Sequence, residues 1–226
     1  PLVPTSAWST TSVFVSDGTN VASDTFLLTV LTPQPQTLSF TNAAGVAVLD
    51  NGTGSPYPST INVSGMIGAV SNVTVTLYNY THSWSADMDV LLVGPAGQKM
   101  VLMSDVCTGT VANATLTLSD AAVALMPNLG LTSGTYRPTN IADGAPAADS
   151  YPAPAPAGPY GSALSVFTNT APNGTWSLYV VDDGAGDTGS IAGGWSLTVS
   201  TVPTGPKPPT ITAIADQTTI TNTPTA

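Results

Sequence analysis

The sequence predicts an all-β protein, and three features of its composition carry that reading. Only 7% of the 226 residues are charged, with 13 Asp, no Glu, two Lys and one Arg, so the residues that usually fill exposed helix faces are nearly missing. Thr is the commonest residue, at 35, and a β-branched side chain suits a pleated, half-buried surface. The 42% hydrophobic content is too high for a disordered chain, while 21 Gly and 20 Pro promise many turns. The expected architecture is a jelly-roll β-sandwich, with a second, incomplete β-sandwich formed from the two chain ends.

Taken in order, residues 10–16 and 21–30 are β-rich runs on either side of Asp17-Gly18-Thr19-Asn20, where Asp-Gly is a strong hairpin signal. Residues 33–36, with Pro33 and Pro35, read as a linker that cannot join a ladder. Between 37 and 202, short strands at regular spacing are expected at 37–41, 46–49, 60–64, 70–79, 87–93, 99–103, 111–118, 163–167, 175–181 and 193–201. Residues 119–126 read as one short helical turn ended by Pro127. Residues 143–161 read as an ordered polyproline-like loop packed on the sandwich or recognising a partner. A second Pro-rich linker, 203–209, leads to one or two opening strands in 210–226.

In 175–181, Trp176, Leu178 and Val180 alternate with Thr175, Ser177 and Tyr179, which predicts one buried face, and Trp195, Leu197 and Val199 repeat the pattern. In 87–93 the alternation places Asp87 and Asp89 on one face, yet Val90 to Val93 are apolar on both. Two carboxylates so placed repel unless water or a cation intervenes, and Ca²⁺ takes several carboxylate and carbonyl oxygens. Asp182, Asp183 and Asp187, in a Gly-rich turn, supply three more. Together these five form a candidate composite calcium site; the alternative is a set of solvated turn aspartates.

A net charge of −10 is the wrong sign for nucleic acid or an anionic membrane surface, and no apolar run approaches the roughly 18 residues of a spanning helix. Cys107 is alone and cannot form an internal disulfide. The single His, His82, has no recognisable nucleophile partner, so packing or hydrogen bonding near Trp84 is expected of it, and no catalytic residue is assigned. Six Asn-x-Ser/Thr sequons, at Asn51, Asn62, Asn72, Asn79, Asn113 and Asn173, are a modest excess over composition. The start at Pro1 suggests a processed product or an excised piece.

Three stretches, DNGTGSPYPSTINVSG, VTVTLYNYTHSWSADMDVLLVGPAGQKMVLMSD and PNGTWSLYVVDDGAGDTGSIAGGWSLTVS, resemble the P-domain (P/Homo B) of proprotein convertases in its bacterial form. That resemblance covers about 150 residues. It implies a jelly roll without catalytic machinery that accompanies subtilisin-like proteases or stands among repeats of bacterial surface proteins, and some P-domains bind calcium near the aspartates named above. The head, VFVSDGTNVASDTFLLTV in 1–32, resembles the closing strands of bacterial immunoglobulin-like or cadherin-like repeats, and the tail, PPTITAIADQTT, their opening strands.

The expected function is therefore a secreted or cell-surface module without catalysis, assembling head to tail into a filament or surface layer. Donor strand complementation would join the segment 210–226 of one copy to the hairpin 10–30 of the next. The runner-up is an accessory or adhesion module from a larger secreted protease or adhesin. Carbohydrate is a third class of partner.

Overall fold

Hydroxyl residues alternating with Val, Leu and Tyr build the longest strand of the sandwich, β7 (Ala69–His82), which buries Val73, Val75, Leu77, Tyr80 and His82. The structure, a computed structural model, describes residues 6–16, 18–31, 34–141 and 149–204. One edge of β7 pairs with β10 (Val111–Leu118). Its other edge is divided between β15 (Trp195–Val202), along Ala69–Leu77, and β14 (Gly189–Ile191), along Tyr80–His82. The sheet is extended by β11 (Gly134–Tyr136) on β10, β3 (Gln36–Asn42) on β15, and β4 (Val46–Val48) with β5 (Gly54–Ser55) on β14.

A second sheet has the order β12 (Thr139–Asn140), β9 (Lys99–Ser104), β8 (Met88–Val93), β13 (Gly174–Asp182) and β6 (Ser59–Val63). The two sheets form a β-sandwich around one core, in which Trp195, Leu197 and Val199 from one sheet share a cluster with Trp176, Leu178, Val90 and Leu92 from the other. Both indoles keep their N–H satisfied, Trp195 donating to Ser59 Oγ at 3.0 Å and Trp176 to the Pro172 carbonyl at 3.0 Å.

The all-β expectation holds, and β13 buries Trp176, Leu178 and Val180 as the alternation requires. It also buries Tyr179 and Val181 on the opposite face, because residues of the Pro-rich loop cover that side of the sheet in a second cluster with Leu91 and Val101. The same cover explains β8: Val90 and Leu92 face the main core, and Leu91 and Val93 face the loop. Loop residues 149–161 thus pack on the sandwich.

Two elements differ from the sequence pattern. Residues 163–167 are not a strand but a 3₁₀ turn, Leu164–Phe167, because the Asp120 carboxylate accepts the N–H groups of Leu164 (2.9 Å) and Ser165 (2.8 Å). Residues 119–126 hold one hydrogen-bonded turn, the Ala122 N–H donating to the Ser119 carbonyl at 3.1 Å, which does not continue into a helix. Ser119 Oγ takes the Ala121 N–H, Asp120 is committed to the 3₁₀ turn, and Leu125 bridges to Arg137.

The N-terminal hairpin is present as β1 (Ser6–Ser16) and β2 (Val21–Leu31), with Ser16 opposite Val21. It is a two-stranded sheet of its own, with no ladder to the sandwich among the described residues. The expected opening strands in 210–226, the other half of the immunoglobulin-like pairing, lie outside the described residues. No helix among the described residues is long and apolar enough to cross a membrane.

Replacing Asp120 with Ala removes both acceptors from the 164–167 turn, whose Leu164 and Phe167 are buried in the core. The Asp120→Ala protein is expected to lose about 1–2 kcal/mol of stability, read by thermal or urea unfolding.

Candidate metal centre

Three carboxylates meet at one end of the five-stranded sheet. Asp89 lies near the start of β8, Asp105 immediately follows β9, and Asp149 begins the described part of the Pro-rich loop. A bulge brings the first two together, since Val90 opposes Met103 while Leu91 opposes Val101, so β9 holds one extra residue there. Asp105 then takes a positive φ of 55°, a left-handed backbone that Asp tolerates better than most residues. Asp149 is held by Asn140 of β12, whose amide donates to Oδ2 at 2.6 Å. One oxygen from each of the three Asp lies within 4.8 Å of the others.

A single hydroxyl serves all three. Ser104 Oγ stands 3.0 Å from Asp105 Oδ2 and 3.0 Å from Asp149 Oδ1, and it also hydrogen-bonds Asp89. A serine hydroxyl has one proton to give, so it cannot satisfy three carboxylates at once. Asp89 is only 2% exposed, and burial first, then the charges of Asp183, Asp149 and Asp105, push its carboxyl up to about 8 against the lowering effect of Ser104. Two residues beyond Asp149 stands Tyr151, 6% exposed, whose hydroxyl is buried without a hydrogen-bond partner. After burial itself, Asp89 and Asp149 are the strongest influences raising that phenol.

Oxygen-only donors at this spacing suit a hard divalent cation such as Ca²⁺ or Mg²⁺ rather than a thiolate- or imidazole-seeking metal. Lys99, the one lysine in the described residues, is engaged elsewhere, donating to the Ala157 carbonyl and lying over the Tyr160 ring.

Of the five aspartates singled out by sequence, only Asp89 belongs to this group. Asp87 sits in a 3₁₀ turn, Ser85–Asp87, rather than in the strand, so it does not share a strand face with Asp89. Its carboxyl packs on Gly184 so closely that a Cβ there would fall 2.2 Å from Asp87 Cγ. Asp182 is wholly committed: Oδ2 accepts from His82 Nε2 at 2.9 Å and Oδ1 from the Asn51 N–H at 3.2 Å. Asp183, whose backbone N–H donates to the Asp87 carbonyl, and Asp187 lie on the loop around Asp87, and both raise its pKa after burial and Asp182 have done so.

The sequence reading missed Asp105, Asp149, Ser104, Asn140 and Tyr151. Ser104-Asp105 at the end of an expected strand was the available signal; Asp149 had none, being one acidic residue in a low-complexity loop.

His82 is buried, and its ring has both nitrogens occupied. Nδ1 accepts the Trp84 backbone N–H at 3.2 Å, so Nε2 carries the proton and donates to Asp182. The expectation of a hydrogen bond near Trp84 is met through the backbone. Gly189 makes room for the ring: a Cβ at that position would lie 2.1 Å from His82 Cδ2.

No protein-family model matches the chain and no curated protein is significantly similar to it. Among solved structures, a chain in the complex of the Aeromonas sobria serine protease with the chaperone ORF2 aligns over 75% of this chain, with 15% identity and a TM-score of 0.36. The serine protease of Aeromonas sobria aligns over 76%, with 15% identity and a TM-score of 0.33. The alignments span 26% and 28% of those chains, so this chain corresponds to about a quarter of either.

The metal-free protein should lose stability as pH rises from about 4 to about 8. Folded Asp89 holds its proton up to about 8 and unfolded Asp releases it near 3.8, so between those values the folded state binds more protons. Urea unfolding in chelator at pH 5 and pH 8 checks the sign: stability is expected to be greater at pH 5.

Proposed function

We propose that this chain is a non-catalytic extracellular module of the bacterial P-domain type, stabilised by a calcium ion at Asp89, Asp105 and Asp149, that serves as an accessory or adhesive part of a secreted assembly. The observation that carries the reading is the group of three carboxylates around one shared hydroxyl, with the buried, unpartnered hydroxyl of Tyr151 under the influence of two of them. A cation there lets Asp89 ionise beside Asp105 and Asp149 and gives the phenol oxygen an electrostatic counterpart. Calcium is favoured over magnesium because the donors are irregularly placed, from two strand ends and a loop, and Ca²⁺ tolerates such geometry. The absence of catalysis is supported by the only His in the chain, whose two nitrogens are both spent on structure.

Calcium at a hundred times its Kd is expected to stabilise the fold by about 2.7 kcal/mol and to raise Tm by about 5–10 °C. Asp89→Asn should abolish most of that response. A Tm indifferent to millimolar calcium and to chelator would remove the site.

A second reading, head-to-tail assembly by strand addition, is favoured by the N-terminal hairpin. It pairs with nothing but itself among the described residues, and Phe14 and Val21, on one face, are 68% and 67% exposed. Lone hairpins are marginal in water. Deleting residues 207–226 is expected to convert filaments to monomers, read by electron microscopy and light scattering; an assembly state unaffected by the deletion would refute strand donation.

A further inference from the structure

The Pro-rich segment 149–161 lies across the outer face of the five-stranded sheet as a strap, and its two ends are fastened differently. At one end the attachment is backbone ladder: the Gly161 N–H donates to the Lys99 carbonyl at 2.9 Å, and the Gly161 carbonyl accepts the Val101 N–H at 3.2 Å. At the other end the Asp149 carboxylate accepts from Ser104 and Asn140, inside the acidic group.

Between the ends the strap is held by aromatic hydroxyls on proline carbonyls. Tyr57 Oη donates to the Pro152 carbonyl at 3.0 Å and Tyr179 Oη to the Pro154 carbonyl at 3.5 Å. Within the strap, Tyr160 Oη reaches the Pro156 carbonyl at 3.1 Å. The rings add edge contacts, Tyr57 to Tyr179 at 5.0 Å and Tyr151 to Tyr160 at 5.4 Å. Tyrosine hydroxyls and rings receiving a Pro-rich segment that has few N–H groups of its own is the mode by which aromatic grooves take polyproline ligands, here used on the chain's own strap.

We infer that a divalent cation at Asp89, Asp105 and Asp149 is the latch of this strap: bound, it pins the Asp149 end against β8 and β9; removed, it lets that end swing out about Gly161. The inference rests on the metal reading given above and adds a mechanical consequence to it. Asp89 lies in a paired strand and Asp105 directly follows one, whereas Asp149 arrives on the strap, so it is the carboxylate able to leave when no cation bridges the three. Tyr151 points the same way, because its buried, unpartnered hydroxyl loses its reason to stay once the cation is gone. Release uncovers Leu91, Val101, Tyr179 and Val181, which the strap buries.

Latch and strap must then be coupled in both directions, as any two linked binding events are. The test is hydrogen exchange on the whole chain with calcium and with chelator, beside calcium titration calorimetry on the native protein and on Tyr57→Phe. That substitution removes a strap contact without touching a carboxylate.

The expected result is exchange in 149–160 at least tenfold faster in chelator, with Val101, Gly161, β7 and β13 protected in both states. Tyr57→Phe should bind calcium about fivefold more weakly or worse. Calcium binding with strap exchange the same in both forms overturns the latch and leaves the metal site standing, as does an unchanged affinity in Tyr57→Phe. Loss of protection across β7 and β13 on chelation makes the ion a global staple and also overturns it. No calcium binding removes both the latch and the site.

Discussion

The burial of carboxyl groups is the constraint on which this molecule turns. A protein with 13 carboxylates and three basic side chains cannot pair its acids by ordinary salt bridges, and Asp89 and Asp182 are nonetheless almost fully inside. Removing a charge from water costs several kcal/mol unless something nearby compensates it. At Asp182 the chain supplies that compensation itself, with the His82 ring and the Asn51 N–H. At Asp89 it supplies one serine hydroxyl, already shared.

Much of the local architecture follows from these two solutions. The His82 pair requires glycine at 189, where β14 meets β7, since any side chain there strikes the ring. The loop 183–187 folds onto the Asp87 carboxyl through Gly184, and Asp50 fixes the far side by accepting the Gly186 N–H at 2.8 Å. At the other group, the bulge in β9 and the left-handed Asp105 serve to turn two strand ends toward one point. The strap then closes that point and gives the five-stranded sheet its second buried face, so the acidic group and the outer cluster form one unit.

The long strands were legible because each carries a period of two or, in β8 and β9, an unbroken apolar run of four residues. The bounds expected for β10 match those observed, and β7, β8, β9, β13 and β15 fall within three residues. The hairpin was legible from Asp17-Gly18. Short strands such as β5, β11, β12 and β14 were not, since two or three residues hold no period and owe their conformation to the neighbour they pair with. Leu164-Ser-Val-Phe167 alternates like a strand, and only Asp120, more than forty residues away, makes it a turn. For the same reason adjacency along the chain pointed from Asp89 to Asp87, whereas sheet register and the strap bring Asp105 and Asp149 to it; Asp183, also named from sequence, is the first of the charges that raise Asp89.

One ion in one place is the centre of this molecule's proposed role. A crystal grown with calcium and measured for anomalous scattering after exchange to a lanthanide tests it most directly. A single strong peak within about 2.3–2.6 Å of an oxygen from each of Asp89, Asp105 and Asp149 is the predicted result. A peak seated instead on Asp87 and Asp187, or no peak at the three carboxylates at saturating calcium, would contradict it.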